Sequence, residues 1–224
     1  MPQCLKRVQA VHDFRLASKS EGTRKIATKP TRFHVENMPK GDFILVPSVS
    51  SERREYVPMG FMTPDVIASN LVLIIPSATL YHFGVLTSSV HMAWMRAVAG
   101  RLKSDYRYSG AIVYNNFPWP DVGNVANVKM SPKSNANAQL KTGNTSTMAT
   151  IISATAQAIL DARAKHPESS LADLYDPLTM PPDLRAAHAA NDKAVLAAYG
   201  LAPDTPESAI VAHLFGLYAE TAKN

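Results

Sequence analysis

The sequence of 224 residues holds a single cysteine, Cys4, which excludes an internal disulfide and any cysteine-based metal cluster. That usage fits a reducing compartment. Long apolar runs are missing as well. Runs such as Leu71 to Ile75 fall far short of the ~20 residues a membrane span needs. The start, MPQCLKRVQ, has charges but no apolar stretch behind them, so no signal peptide is expected. Most catalytic signatures are lacking: there is no P-loop, GxGxxG, HExxH or GxSxG. The seven histidines (12, 34, 82, 91, 166, 188 and 213) form no tight ligand pair. His82 and His91 flank Leu86–Ser89, but a zinc site there has no further ligands to name. His188 and His213 are expected in packing or surface roles. No catalytic residue and no metal ligand is assigned.

At 46% apolar residues the chain is not a disordered one. Its length suits one large domain or two modest ones. Charge is divided unevenly. Residues 1–122 carry net +6, residues 123–150 net +3, and residues 151–224 net −4. A basic front of this kind suggests a polyanionic partner.

The front half reads as mixed and β-rich. Residues 3–18 are expected as a short basic helix. Thr31–Val35, Asp42–Val46 and Tyr56–Phe61 are β-rich runs bounded by Pro, Gly and Ser. Thr63-Pro64-Asp65 is a helix start ending near Asn70. Leu71–Ile75 is expected as a buried strand, with Tyr81–Leu86 a further strand candidate. Ser88 or Ser89 caps a helix with Val90, Trp94, Ala97, Val98 and Leu102 on one side, where Trp94 and Met95 suit a core. Gly110–Asn115 reads as a strand stopped by FPWP, Phe117–Pro120. Residues 121–146 are rich in Asn, Ser, Lys and Gly and read as a linker. Beyond them come three helices: one around Ile151–Ala162, one from Pro181 to Tyr199 with Gly200 as its cap, and one from Thr205 onward. The fold class is therefore α+β. A β-rich domain spans 1–122, a linker or insertion 123–147, and a small helical domain 148–224.

GRLKSDYRYS, Gly100–Ser109, is the most informative stretch. Lys103, Asp105 and Arg107 alternate with Ser104, Tyr106 and Tyr108. In an extended segment, period two puts all three charges on one face. Such a set suits base edges: Lys donates to guanine, Asp accepts from cytosine N4, and Arg grips guanine with two bonds. A solvated strand with internal ion pairing explains the same spacing. Other basic groups are Arg24-Lys25 and Arg53-Arg54, with Arg101 beside the alternating segment. Arg24, Lys25 and Arg53 sit among Ser and Thr, which suits phosphate contacts that position without reading sequence.

YVPMGFMTPDVIASNLVLIIPSATLYHFGVLTSSVHMAWMRAVAGRLKSDYRYSGAIVYNNFPWP (Tyr56–Pro120) resembles the target-recognition domain of MmeI-like restriction–modification enzymes. RVQAVHDFRLASKSEGTRKIA is similar to the earlier part of that domain. AQAILDARAKHPESSLADLYDPLTMPPDLRAAHAANDKAVLAAYG (Ala156–Gly200) resembles the family's C-terminal helical domain. The likeness implies a prokaryotic cytoplasmic protein and double-stranded DNA as partner. It implies base readout at Lys103, Asp105 and Arg107, with Leu71 near the DNA. Arg24, Lys25, Arg53, Arg54 and Arg101 are the expected phosphate contacts. It also implies adenine-N6 methylation by S-adenosylmethionine in a full-length enzyme. One departure is large. No Asn-Pro-Pro motif, glycine-rich cofactor loop or nuclease motif occurs in the sequence. This chain is thus expected to bind no cofactor and catalyse nothing alone, working with a methyltransferase domain in cis or in trans. The alternatives are a freestanding specificity subunit and a decayed gene remnant.

Overall fold

The computed structural model describes residues 1–34, 36, 38–122 and 147–221, and nearly all of the expected linker lies outside them. The chain divides into two compact units, Met1–Met38 and Pro39–Asn224. The first holds α1 (Pro2–Leu16) and α2 (Glu21–Lys25). Pro2 suits a first helical turn, where its missing N–H costs nothing. The Ser20 hydroxyl caps α2 by accepting from the Thr23 N–H. The strand expected at Thr31–Val35 does not form over Thr31–His34. The Arg15 guanidinium takes the Lys29 and Arg32 carbonyls, each at 2.7 Å, and Arg32 pairs with Glu36. The carbonyls are satisfied locally, so no partner strand is required.

In the second unit, β1 (Phe43–Pro47) lies between β3 (Gly60–Met62) and β4 (Val72–Pro76) in an antiparallel sheet. The register sets Ile44 opposite Phe61 and Ile75. At Ser48 the chain leaves this sheet and enters a second one. The Ser48 N–H donates to the Leu71 carbonyl at 3.0 Å, and its own carbonyl accepts from the Tyr108 N–H at 2.9 Å. The second sheet is antiparallel, in the order β2 (Val49–Ser50), β6 (Asp105–Arg107), β5 (Gly100–Leu102).

Several expectations change here. Tyr81–Leu86 is helical, within α3 (Leu80–Leu86). A short apolar run carries no period of its own, and the cap decides: the Thr79 N–H donates to His82 Nδ1 at 3.2 Å. α3 is apolar nearly all round because it is buried nearly all round. Thr63–Asn70 forms turns rather than a helix. Leu71 precedes β4 and is 70% exposed, not buried. α4 (Ser89–Val98) stops short of Leu102, because Ala99 turns extended with ψ 145° and the chain enters β5. Gly110–Tyr114 is a π-helical turn rather than a strand, with Ser109 Oγ accepting from the Ile112 N–H.

The remaining helices are α5 (Met148–Ala164), α6 (Leu171–Leu174), α7 (Pro182–Ala198) and α8 (Glu207–Thr221). Gly200 follows α7 with φ +69°, the left-handed residue that glycine supplies without strain. These helices share one core with the β-rich segment. α3 packs against α5 and α7, and α4 against α8. Trp94, expected in the core, is buried against Phe215 and Tyr218 of α8, with ring centroids 5.2 and 5.9 Å away. Its indole N–H donates to the Val113 carbonyl at 2.9 Å. The FPWP segment packs inward: Phe117 lies edge-on to His91 at 4.5 Å, and Tyr199 donates to the Pro118 carbonyl at 2.8 Å.

Candidate nucleic-acid interface

Tyr106 and Tyr108 are the buried anchors of the alternating segment. Tyr108 meets His91 of α4, with 2.9 Å between its hydroxyl and Nε2. Burial drives the His91 value down to about 3, so the ring is neutral, and holds the Tyr108 phenol protonated. With the tyrosines turned in, Asp105 and Arg107 turn out. Residues directly opposite in an antiparallel pair share a face. The outward face therefore carries Asp105 beside Leu102, and Arg107 between Gly100 and Val49.

Lys103 is placed differently from the extended reading. Leu102 pairs with Asp105, so Lys103 and Ser104 form a two-residue hairpin loop. Lys103 sits at its first position with φ +58°, a conformation that favours glycine. It projects from the tip, while Asp105 and Arg107 line the strand behind it. The structure brings all three residues onto one hairpin, through a turn rather than a continuous strand. The side chains of Lys103 and Arg107 are exposed and form no hydrogen bond or ion pair among the described residues. Asp105 Oδ1 accepts from the Glu52 N–H at 3.4 Å.

The phosphate candidates divide. Arg53 is exposed, and its side chain makes no hydrogen bond among the described residues. Arg54 is half-buried, with its Nε unpartnered. Arg101 is engaged within the hairpin. It donates to the Ser104 carbonyl at 2.7 Å, reaches Glu52 Oε2 at 3.5 Å and stacks 3.8 Å over the Tyr106 ring. Arg24 and Lys25 belong to the first unit. Arg24 donates to the Ser18 and Lys19 carbonyls at 2.8 and 2.9 Å, and Lys25 pairs with Glu21 at 2.8 Å.

Sequence reasoning missed Val49 and Leu102, the exposed apolar flanks of the outward face, and Glu52, which touches both Asp105 and Arg101. Pairing register was the missing information, because SVSSERRE reads only as a polar loop. Among the described residues no cluster of three or more His, Cys, Asp or Glu side chains is placed to hold a metal. No helix among them is long and apolar enough to cross a membrane.

The hairpin thus presents exposed Lys103 and Arg107 together with Asp105 on a body to which buried tyrosines fix it. The sequence agrees with a specific family. The family model described as the MmeI target recognition domain matches residues 1–121, and the MmeI C-terminal domain matches residues 145–224. The chain belongs to the MmeI family. A relative from Bacillus subtilis (strain 168), called DNA methyltransferase A, is 38% identical over 198 residues, which is 88% of this chain and 20% of that protein. A solved structure of the type IIL restriction-modification enzyme MmeI in complex with DNA is 40% identical, with a TM-score of 0.81. It covers all of this chain, which spans 27% of it. The chain thus spans about a fifth to a quarter of the proteins it matches.

Proposed function

We propose that this chain is the DNA-recognition portion of a site-specific adenine-N6 methyltransferase of restriction–modification type. One observation carries the reading: the residues that family resemblance marks for base contact stand together on one exposed hairpin. A two-stranded β-ribbon fits the major groove, whose base edges show a distinct donor and acceptor pattern for each pair. Lys103 and Asp105 read one G·C pair, the ammonium donating to guanine and the carboxylate accepting from cytosine N4. Arg107 reads a neighbouring base. Arg53 and Arg54 hold phosphates, and Arg24 and Lys25 add positive charge from the first unit. Methyl transfer from S-adenosylmethionine belongs to a methyltransferase domain outside these 224 residues, acting in cis or in trans. The acidic helical segment braces the recognition part and stays off the DNA.

The test is duplex binding by the whole chain, followed by fluorescence anisotropy across a salt series. Binding is expected to be weak and to fall steeply with salt, because phosphate contacts release counterions. Folded protein that binds no duplex at low salt ends this reading. A second measurement uses Lys103→Asp combined with Asp105→Lys in a randomised duplex selection. The preferred base is expected to change at one position, each good contact being worth ~1–3 kcal/mol.

A further inference from the structure

We infer that Arg101 and Glu52 form a latch that sets base selectivity by holding the hairpin tip, so that Arg101 acts as a positioning residue and not as a phosphate contact. The inference rests on the proposed role of the hairpin in reading DNA and extends it to residues that touch no base.

The tip needs a restraint. Lys103 is held at φ +58°, where an L-residue's Cβ crowds the backbone and glycine is the usual occupant. A strained residue of this kind persists only where its surroundings over-determine it. Arg101 supplies the restraint through three contacts with one guanidinium. It donates to the carbonyl of Ser104, the other loop residue, at 2.7 Å. Its plane lies 3.8 Å over the ring of Tyr106, its directly opposed partner across the strand pair. It also meets the Glu52 carboxylate at 3.5 Å. The Glu52 backbone N–H in turn holds Asp105 Oδ1 at 3.4 Å. One residue, Glu52, therefore touches the brace of the loop with its side chain and the reading carboxylate with its backbone. Tyr106 is buried, so the surface on which Arg101 lies is fixed to the core. Both polar contacts use Nη1 and one face of the guanidinium lies on the Tyr106 ring, so the group is held against the hairpin by its contacts within the protein. The planar guanidinium can lie flat on the ring while Nη1 takes the carbonyl, whereas an ammonium offers only a point charge.

The two roles give different signatures. A phosphate contact contributes about −0.9 to the slope of log affinity against log salt and nothing to base preference. A positioning residue contributes to base preference and leaves the slope alone. The experiment compares the whole wild-type chain with Arg101→Lys, Arg101→Ala and Glu52→Gln. Each binds duplexes that differ only at the base pair assigned to Lys103 and Asp105, across a salt series. Both Arg101 variants are expected to lose about tenfold in discrimination at that pair while keeping the wild-type slope. Glu52→Gln is expected to lose less, in the same direction, since its backbone N–H remains. Arg101→Lys and Glu52→Gln are mild enough to keep the test decisive if Arg101→Ala fails to fold. A slope lowered by about one unit with discrimination intact makes Arg101 a phosphate contact and overturns the latch. Folded variants with both quantities unchanged also overturn it. If wild-type discrimination at that pair does not depend on Lys103 and Asp105 at all, the recognition reading itself has failed, and the latch falls with it.

Discussion

The side-chain amide of Asn191 in α7 donates to the carbonyl oxygen of Gly84 in α3 at 2.8 Å, joining the two family segments through the middle of their shared core. Asn191 Oδ1 also accepts from the Thr155 hydroxyl at 2.9 Å, so this buried amide has partners on both α3 and α5. The close approach depends on glycine. A Cβ at position 84 would lie 2.7 Å from Ile152 Cγ2, 3.0 Å from Asn191 Oδ1 and 3.1 Å from the Ala156 Cβ. Overpacking of a filled core costs ~1–3 kcal/mol. Gly84→Ala is therefore expected to lower the unfolding free energy by that amount, seen as a lower urea midpoint with an unchanged m-value. Fluorescence of Trp94 and Trp119 and far-ultraviolet dichroism should give coincident transitions. Separate transitions would mean that the helical segment and the β-rich segment do not share a core.

Much of this arrangement was legible in the residues, for identifiable reasons. The long helices are the legible part: α1, α5, α7 and α8 fall where the pattern put them, within a turn at the ends, while α4 starts at its expected cap and ends at Val98, short of Leu102. Short elements do not. The run Tyr81–Leu86 is equally apolar as strand or helix, and a contact four residues long, Thr79 to His82, settles it. The hairpin shows a partial success. Tyr106 and Tyr108 turn in and Asp105 and Arg107 turn out, as period two requires. The turn at Lys103 was hidden because the usual glycine is absent there. Glu52 was invisible for another reason: its link to Asp105 and Arg101 is made by tertiary structure over some fifty residues of sequence.

Buried titratable groups predict an acid-sensitive fold. Burial lowers His91 and His188 from the ordinary 6.5 to about 3, with the charge of Arg163 adding to the effect on His188. Each stays neutral in the folded state while the unfolded chain takes up protons. Their contribution is complete above pH 6.5 and is lost as the pH falls toward 3. Asp192 works in the opposite sense. Burial raises it from 3.8 to about 6, against the pull of the Tyr56 hydroxyl and the Ser89 N–H, each at 2.7 Å. The folded state therefore binds its proton first and regains stability as the pH falls from 6 to 4. At pH 5, relative to pH 7, each histidine costs ~2 kcal/mol and Asp192 returns ~1, leaving a net loss of ~3 kcal/mol. Urea midpoints at pH 7, 6 and 5 check this. Stability that is level or rising over that range would contradict it.

The contact between α4 and α8 shows which interaction type matters. Arg96 binds Glu207 with two bonds, at 2.8 and 2.9 Å, but the glutamate is half-exposed. An ion pair in that setting is worth ~0–1 kcal/mol. Leu214, on the same helix, is fully buried. Truncating a buried leucine costs ~2–5 kcal/mol. Glu207→Gln is thus expected to move the melting temperature by a few degrees at most, and Leu214→Ala to lower it severely. Equal shifts would mean that the surface pair is desolvated far more than its exposure indicates.

Lys103→Gly should separate stability from recognition. Lys103 holds φ +58° at the hairpin tip, so its Cβ crowds the backbone. Glycine removes a strain of ~1–2 kcal/mol for an L-residue in the left-handed region. It also gives the unfolded chain more freedom, which takes back ~0.4–1 kcal/mol. The folded state is expected to gain the small remainder, visible as a melting temperature equal to or slightly above wild type. Recognition should move the other way. The ammonium proposed to donate to guanine is gone, and a base contact of that kind carries ~1–3 kcal/mol, or about tenfold or more in selectivity. Thermal denaturation and duplex competition on the same preparation measure both quantities. A destabilised variant would show that the tip is not strained, and a stable variant with undiminished selectivity would remove Lys103 from the reading face.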